Sequence, residues 1–177
     1  FLPWEDWRCN QPSIIDDVLI PSLEEWADAE PYPAIREERR RRLAMTFGHD
    51  DAAWNFEHVL ERYELLYEAG LVAEAERDRL ARAKYINTPG PNAGARTAIE
   101  ATGRSAALDH RRMMATALGR IRGKLTYRPV VFELLPPAFT LLRLQQVVES
   151  LSGIPLHKQN FRRLVTNNKL VEPTGTL

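Results

Sequence analysis

Cysteine is nearly missing from this chain: Cys9 is the only one in 177 residues. One thiol cannot close an internal disulfide, and a chain that relies on none fits a reducing cytoplasm. Together with His49, His58, His110 and His157, Cys9 matches no zinc-ligand spacing. Long apolar runs are lacking too; nothing approaches the roughly 18 residues needed to cross a bilayer as a helix. Glycine-rich phosphate loops, the G-x-G-x-x-G fingerprint and the G-x-S-x-G elbow are absent. The acidic doublets Asp16-Asp17, Glu24-Glu25 and Asp50-Asp51 are adjacent residues, which point away from each other on a helix, so they read as solvated residues and caps. No catalytic residues, no metal and no cofactor are expected. The first eight residues have neither a basic start nor an apolar core, so they are no signal peptide. They also lack an initiator Met, as in a segment of a longer protein.

What is present is a divided charge. The net charge is zero, yet residues 1–103 carry −8 and residues 104–169 carry +9. A basic block beside an acidic one points to a polyanionic partner for the basic part, although a basic surface can also serve only solubility.

Apolar spacing predicts a largely helical N-terminal region. Ile14, Ile15, Val18, Leu19, Leu23 and Trp26 repeat at mostly three- and four-residue steps, with Pro21 expected to kink or restart the helix. A second helix is expected over 34–47, where Arg39 to Arg42 form a run preceded by Glu37 and Glu38. That run could touch phosphate, but local Glu–Arg pairing on an exposed face is the stronger reading. Gly48 should close this helix, with Asp50 or Asp51 capping the next. Helices from residue 52 to Gly70 and over 72–84 should then form a hairpin. Their aromatic residues read as core. Residues 86–104 are rich in turn formers and lack a period, the texture of a flexible linker. The expected organisation is therefore a helical bridging region over 1–85, a linker over 86–104, and a separate unit over 105–177.

That last unit has the element order of a winged helix-turn-helix. A helix from Asp109 to about Leu125 carries Met114, Ala117, Leu118, Ile121 and Leu125 on one stripe, with Arg111, Arg112, Arg120, Arg122 and Lys124 around the rest. Residues 129–135 are β-branched and aromatic and end at Pro136-Pro137, as a strand would. Thr140 should cap a helix over 141–152. Gly153-Ile154-Pro155 breaks it, and a second helix runs from His157 to about Asn167. Residues 170–176 read as a strand entering a turn. The fold class expected is mainly α, with a helical N-terminal region followed by a winged helix-turn-helix domain that contains a small β-sheet.

On the last helix Phe161, Leu164 and Val165 should face inward at 100° per residue. Gln159, Arg163 and Thr166 lie opposite, with Arg162 beside them. These four are the candidate base readers, because Arg pairs bidentately with guanine and Gln with adenine in the major groove. Lys158, Arg143 and Lys169 are the candidate phosphate contacts. The same helix could instead be a polar surface in a winged domain that meets protein.

Five stretches resemble the Nudix-related transcriptional regulators of bacterial NAD metabolism, most closely their alphaproteobacterial NAD regulator branch. They are residues 1–8 (FLPWEDWR), 60–72 (LERYELLYEAGLV), 108–112 (LDHRR), 121–137 (IRGKLTYRPVVFELLPP) and 157–164 (HKQNFRRL). The resemblance implies a homodimer that binds palindromic double-stranded operator DNA and represses NAD biosynthesis or salvage genes in the bacterial cytoplasm, at the nucleoid. It implies a nucleotide effector sensed by a Nudix-like domain upstream of residue 1. Arg36-Glu37-Glu38 is the nearest approach to a Nudix metal-binding box and does not fit one, so no hydrolase activity is expected of these residues. The competing readings are a Nudix-type nucleotide pyrophosphatase with an accessory winged helix, and a winged helix used for protein contact.

Overall fold

The computed structural model describes residues 2–85, 90–125 and 130–174. Within them the chain forms α1 (Ile20–Asp28), α2 (Pro33–Phe47), α3 (Val59–Glu68), α4 (Ala73–Ala83), α5 (Ala93–Ala101), α6 (His110–Leu125), α7 (Leu141–Ser152) and α8 (Lys158–Asn167). The helix restart expected at Pro21 is present. Ile15–Leu19 is wound as a wide π-turn, and α1 begins directly after it with Pro21 in its first turn. Proline has no N–H to donate, so the backbone relaxes into the wider turn just upstream. Gly48 closes α2 in the left-handed conformation, as expected. Neither Asp50 nor Asp51 caps α3, which starts seven residues later than expected from residue 52, at Val59. The 52–58 loop is instead pinned by Asn55, whose side chain accepts from the Glu57 N–H at 2.9 Å.

The four consecutive arginines of α2, Arg39 to Arg42, are all paired within the chain, only Arg41 with a Glu of the same helix. Arg39 pairs with Glu30 at 3.0 Å and stacks over Trp26, Arg40 pairs with Asp28, Arg41 with Glu38 and Arg42 with Glu68. They serve intramolecular pairing.

Two cores organise the molecule. The larger gathers Trp4, Ile15, Leu19, Leu23, Leu43, Phe47, Val59, Tyr63, Leu66 and Ala115. The smaller gathers Val131, Leu144, Phe161 and Val165. Helix α6 serves both: Ala115 is buried in the first, and Leu118 packs on it, while Leu125 packs on the second. Two glycines in α6 lower its helix propensity, yet the helix runs through them. An added Cβ at Gly119 would lie 2.9 Å from the Glu57 carbonyl oxygen. Gly119 therefore lets α6 lie directly against the start of α3.

Three expectations are corrected here. Within 86–104, expected as a linker, α5 is a regular helix. Asn92 caps it by accepting from the Ala95 N–H at 2.7 Å, and Ala98 is fully buried. The expected strand over 129–135 is replaced, in its described part, by a short 3-10 helix, Val130–Leu134. Among the described residues no facing strand offers hydrogen bonds there, and the backbone bonds locally, Leu135 N–H to Phe132 O at 3.2 Å. Residues 170–174 have no regular structure, and no strand occurs among the described residues. The mainly helical class stands. The described residues of these two segments form no sheet; Pro129 of the first strand reading and residues 175–176 of the second lie outside the described residues.

The third correction concerns the basic residues of α6. Arg111 and Arg122 are buried, at 1% and 5% exposure. Arg111 pairs with the equally buried Glu74 at 3.1 Å and donates to the Thr102 carbonyl. Arg122 pairs with Glu5, which also receives the buried Arg62 through a 2.5 Å bond. Burial pulls the Arg122 guanidinium below its ordinary value, the Glu5 carboxylate beside it pulls the other way, and neighbouring Arg62 adds to the fall. Arginine keeps its charge regardless, so the site is a buried carboxylate held between two guanidinium groups. A buried charge persists only where it is paired and hydrogen-bonded, and every side-chain nitrogen of Arg62 and Arg122 and both carboxylate oxygens of Glu5 have a partner.

Candidate nucleic-acid interface

The second core presents α7 and α8 as a helix-turn-helix. Thr140 caps α7 as expected, its hydroxyl accepting from the Arg143 N–H at 3.1 Å. Leu144 is buried at 1%, and Val147, Val148 and Leu151 pack around it. Gly153 ends α7 at φ +76°, a conformation that costs a residue with a Cβ about 1–2 kcal/mol. The turn that follows is fastened from α7. Gln145 donates to the Leu156 carbonyl at 2.9 Å and to Glu149 at 3.0 Å, and Glu149 accepts from the Leu156 N–H at 2.9 Å. Both polar groups of the Leu156 backbone are thus satisfied by one pair of side chains. Composition and period alone gave no sign of this clamp; its signal was Gln and Glu spaced i,i+4 on the face leading into the turn.

Helix α8 buries Phe161 and Val165 and exposes everything else along its length. Leu164, expected to face inward, is 57% exposed. Its direction lies about 80° from the middle of the Phe161–Val165 face at 100° per residue, outside the strip of α8 that is buried in the second core. The candidate base readers Gln159, Arg162, Arg163 and Thr166 are all exposed, as are Lys158, Arg143 and Lys169. On the helical wheel the four readers fall on one side, spanning roughly 100°. Asn160 and Asn167 are exposed on the flank between Arg163 and Leu164 and extend the polar surface beyond those four.

The electrostatics of this surface differ from those of the bundle. Arg111 and Arg122 are internal, and Arg112 is paired with Glu64. Among the described residues, the remaining exposed cations of the basic block are Arg104, Arg120, Lys124, Arg143, Lys158, Arg162, Arg163 and Lys169. Among the described residues, none of the cations on α7 and α8 has an ion-pair partner. No acidic residue occurs from 150 to 171. The N-terminal cap of α8, His157, supplies no side-chain acceptor. The first N–H groups of α8 therefore remain available to an anion.

The C-terminal end of α8 has its own signature. Lys169 is left-handed at φ +51°, with its N–H bonded to the Thr166 carbonyl and the Leu170 N–H bonded to the Val165 carbonyl, both at 3.1 Å. This is a Schellman cap with lysine at the position glycine favours.

Among the described residues no group of three or more His, Cys, Asp or Glu stands close enough to hold a metal, and no helix is long and apolar enough to cross a membrane.

Two helices joined by a turn that opens on Gly153, the second exposed, basic and free of acid, make the C-terminal unit a helix-turn-helix of the kind that binds DNA. Comparison with known proteins narrows it: residues 131–177 match the NrtR DNA-binding winged helix domain. A curated relative, the ADPR responsive transcriptional repressor NtrR of Acinetobacter baylyi, is 37% identical over 68 residues. That alignment covers 38% of this chain and 27% of the relative, so the chain spans about a quarter of the relative's length.

Proposed function

We propose that this chain is the DNA-reading part of a transcriptional regulator in which α8 enters the major groove of double-stranded operator DNA. The observation that carries the reading is the exposed face of α8: Gln159, Arg162, Arg163 and Thr166 stand free on a helix anchored from behind by Phe161 and Val165. Such a helix fits the groove, and these side chains match base edges there. Lys158, Arg143 and Lys169 take phosphates and set the register. The similarity to the NrtR winged helix and to a repressor supports this assignment.

In the fuller reading the protein is a repressor of NAD biosynthesis or salvage genes. It binds a palindromic site as a homodimer and answers a nucleotide sensed by a Nudix-like domain outside this segment. The relative's description as ADPR responsive supports a nucleotide effector. No reaction is assigned to the chain. The helical region over 1–85 bridges the sensor to the reader or serves as the dimer contact.

The test is selection of duplexes from a random library, followed by affinities for the selected and a scrambled duplex across a salt series. Selection of a defined sequence with a steep salt dependence is expected. Arg163→Ala should lose about 1–3 kcal/mol concentrated at one base position, whereas Lys158→Ala should weaken all sequences alike and flatten the salt slope by about one. Equal, weak affinity for every duplex would remove the reading.

A further inference from the structure

The turn of the helix-turn-helix is held from two sides. From inside the unit, Gln145 and Glu149 fasten Leu156. From outside it, the N-terminal segment reaches across. The Trp7 N–H donates to the Gly153 carbonyl at 2.7 Å, and Arg8 reaches the Ser150 hydroxyl at 3.4 Å. Arg122 is the centre of this second attachment. Its Nε donates to the Leu151 carbonyl at 3.0 Å, Nη2 to the Glu5 carbonyl at 2.9 Å, and Nη1 to the Phe56 carbonyl at 3.0 Å and to the Glu5 carboxylate. One guanidinium thus ties the end of α7 to the N-terminal segment and the 52–58 loop. Glu5 is in turn gripped by Arg62 of α3, whose guanidinium also donates to the Thr46 and Asn55 carbonyls.

The fit leaves no slack. A Cβ at Gly153 would stand 2.4 Å from the Glu5 carbonyl oxygen and 2.5 Å from Arg122 Nη2. The turn and the N-terminal segment are therefore in backbone contact at the residue where α7 ends. Helix α8 begins five residues later.

We infer that Arg122, with Glu5, is a positioning residue for DNA reading: the buried guanidinium fixes the angle at which α8 is presented, from a bundle that itself touches no DNA in this reading. This rests on the DNA-binding function proposed above. A base-reading helix must be held to within about half an ångström for its hydrogen bonds to form, whereas phosphate attraction tolerates looser geometry. Loss of the strut should therefore lower sequence preference more than general affinity.

The experiment compares Arg122→Met with Arg111→Met in the 177-residue chain, at a temperature where circular dichroism shows both folded. Arg111 has a similar burial and a carboxylate partner, and it bonds to Glu74 and to the Thr102 and Arg104 carbonyls and lies 5.7 Å from the Trp4 ring, with none of these partners in the turn. The probes are the duplex selected by the wild-type chain and a scrambled duplex of the same length. Arg122→Met should cut the selected-to-scrambled affinity ratio about tenfold or more, the size of one lost base contact, with the scrambled affinity and salt slope nearly kept. Arg111→Met should keep the ratio. Equal ratios in both variants and wild type, or equal losses in both variants, would overturn the inference. Amide exchange in the wild-type chain supplies a measure that needs no variant: the Trp7 N–H should be protected to the same degree as amides inside α6. Exchange at the rate of an open amide would show that the strut is not closed and would overturn it as well. If selection enriches no sequence, the DNA reading fails, and the exchange result still decides whether the strut exists.

Discussion

Phe161 and Leu164 sit three residues apart on α8 and meet different surroundings. Phe161 is buried in the small C-terminal core with Val131, Leu144 and Val165, while Leu164 is mostly exposed. In the sequence both belong to one inward triad with Val165, because a helical wheel cannot say how wide the covering neighbour is. The covering here is narrow: of α8 only Phe161 and Val165 are buried, in one core with Leu144 of α7 and Val131 of the 3-10 turn. The consequence is measurable by chemical denaturation. Phe161→Ala should cost about 3–5 kcal/mol through lost burial and the cavity left behind. Leu164→Ala should stay within about 0.5 kcal/mol of wild type, as exposed positions do. A large loss at Leu164 would mean that another surface covers it. If Leu164→Ala changes the selected DNA sequence at an A·T pair while stability is kept, the leucine touches a thymine methyl group.

At the scale of elements, the sequence showed most of the C-terminal helices. Thr140 as a cap, Gly153 as a break and the Phe161–Val165 step are local signals, and local signals survive folding. The signals that misled were those needing a partner. Residues 130–134 have strand composition, but a strand exists only where another offers hydrogen bonds, and here they wind into a 3-10 turn over α7. The α6 arginines looked like a solvated basic face, yet Arg122 and Arg111 are internal because Glu5 and Glu74, far away in sequence, come to meet them. Spacing carries no record of such pairs. The exposed face of α8 was legible because it depends on helix geometry alone, and the clamp and strut behind it were not. The Schellman cap at Lys169 is a further element that composition concealed, since glycine is the usual occupant. Lysine in the left-handed conformation costs about 1–2 kcal/mol, and a residue kept there against that cost invites a functional explanation. Lys169→Gly should therefore raise stability by about 1 kcal/mol and at the same time lower DNA affinity for all sequences, with a salt slope reduced by about one. A gain in stability without any change in salt slope would take Lys169 off the phosphate backbone.

At the scale of the molecule, the question is whether the bundle and the reader are one cooperative unit. The charge boundary suggests two, with acid before residue 104 and base after it. The packing argues for one. Helix α6 places Ala115 in the larger core and Leu125 against the smaller, and the Glu5 carboxylate binds Arg62 on one side and Arg122 on the other. Unfolding the C-terminal helices alone would strip Arg122 of its Leu151 contact and open the backbone contact at Gly153. Unfolding the bundle alone would leave Arg122 without its counter-charge. The distribution of tryptophan makes the test direct: Trp4, Trp7, Trp26 and Trp54 all precede residue 55, so fluorescence reports the bundle while far-ultraviolet circular dichroism reports every helix. The two melting curves of the wild-type chain should coincide. In Glu5→Gln, two buried guanidinium groups lose their carboxylate, a loss of about 3–5 kcal/mol, which for a chain of this size lowers Tm by roughly 10 °C. Both probes should fall together. A circular dichroism transition that precedes the tryptophan transition in the wild-type chain would show that α7 and α8 melt on their own, and the bundle could then not set the angle of the helix that reads DNA.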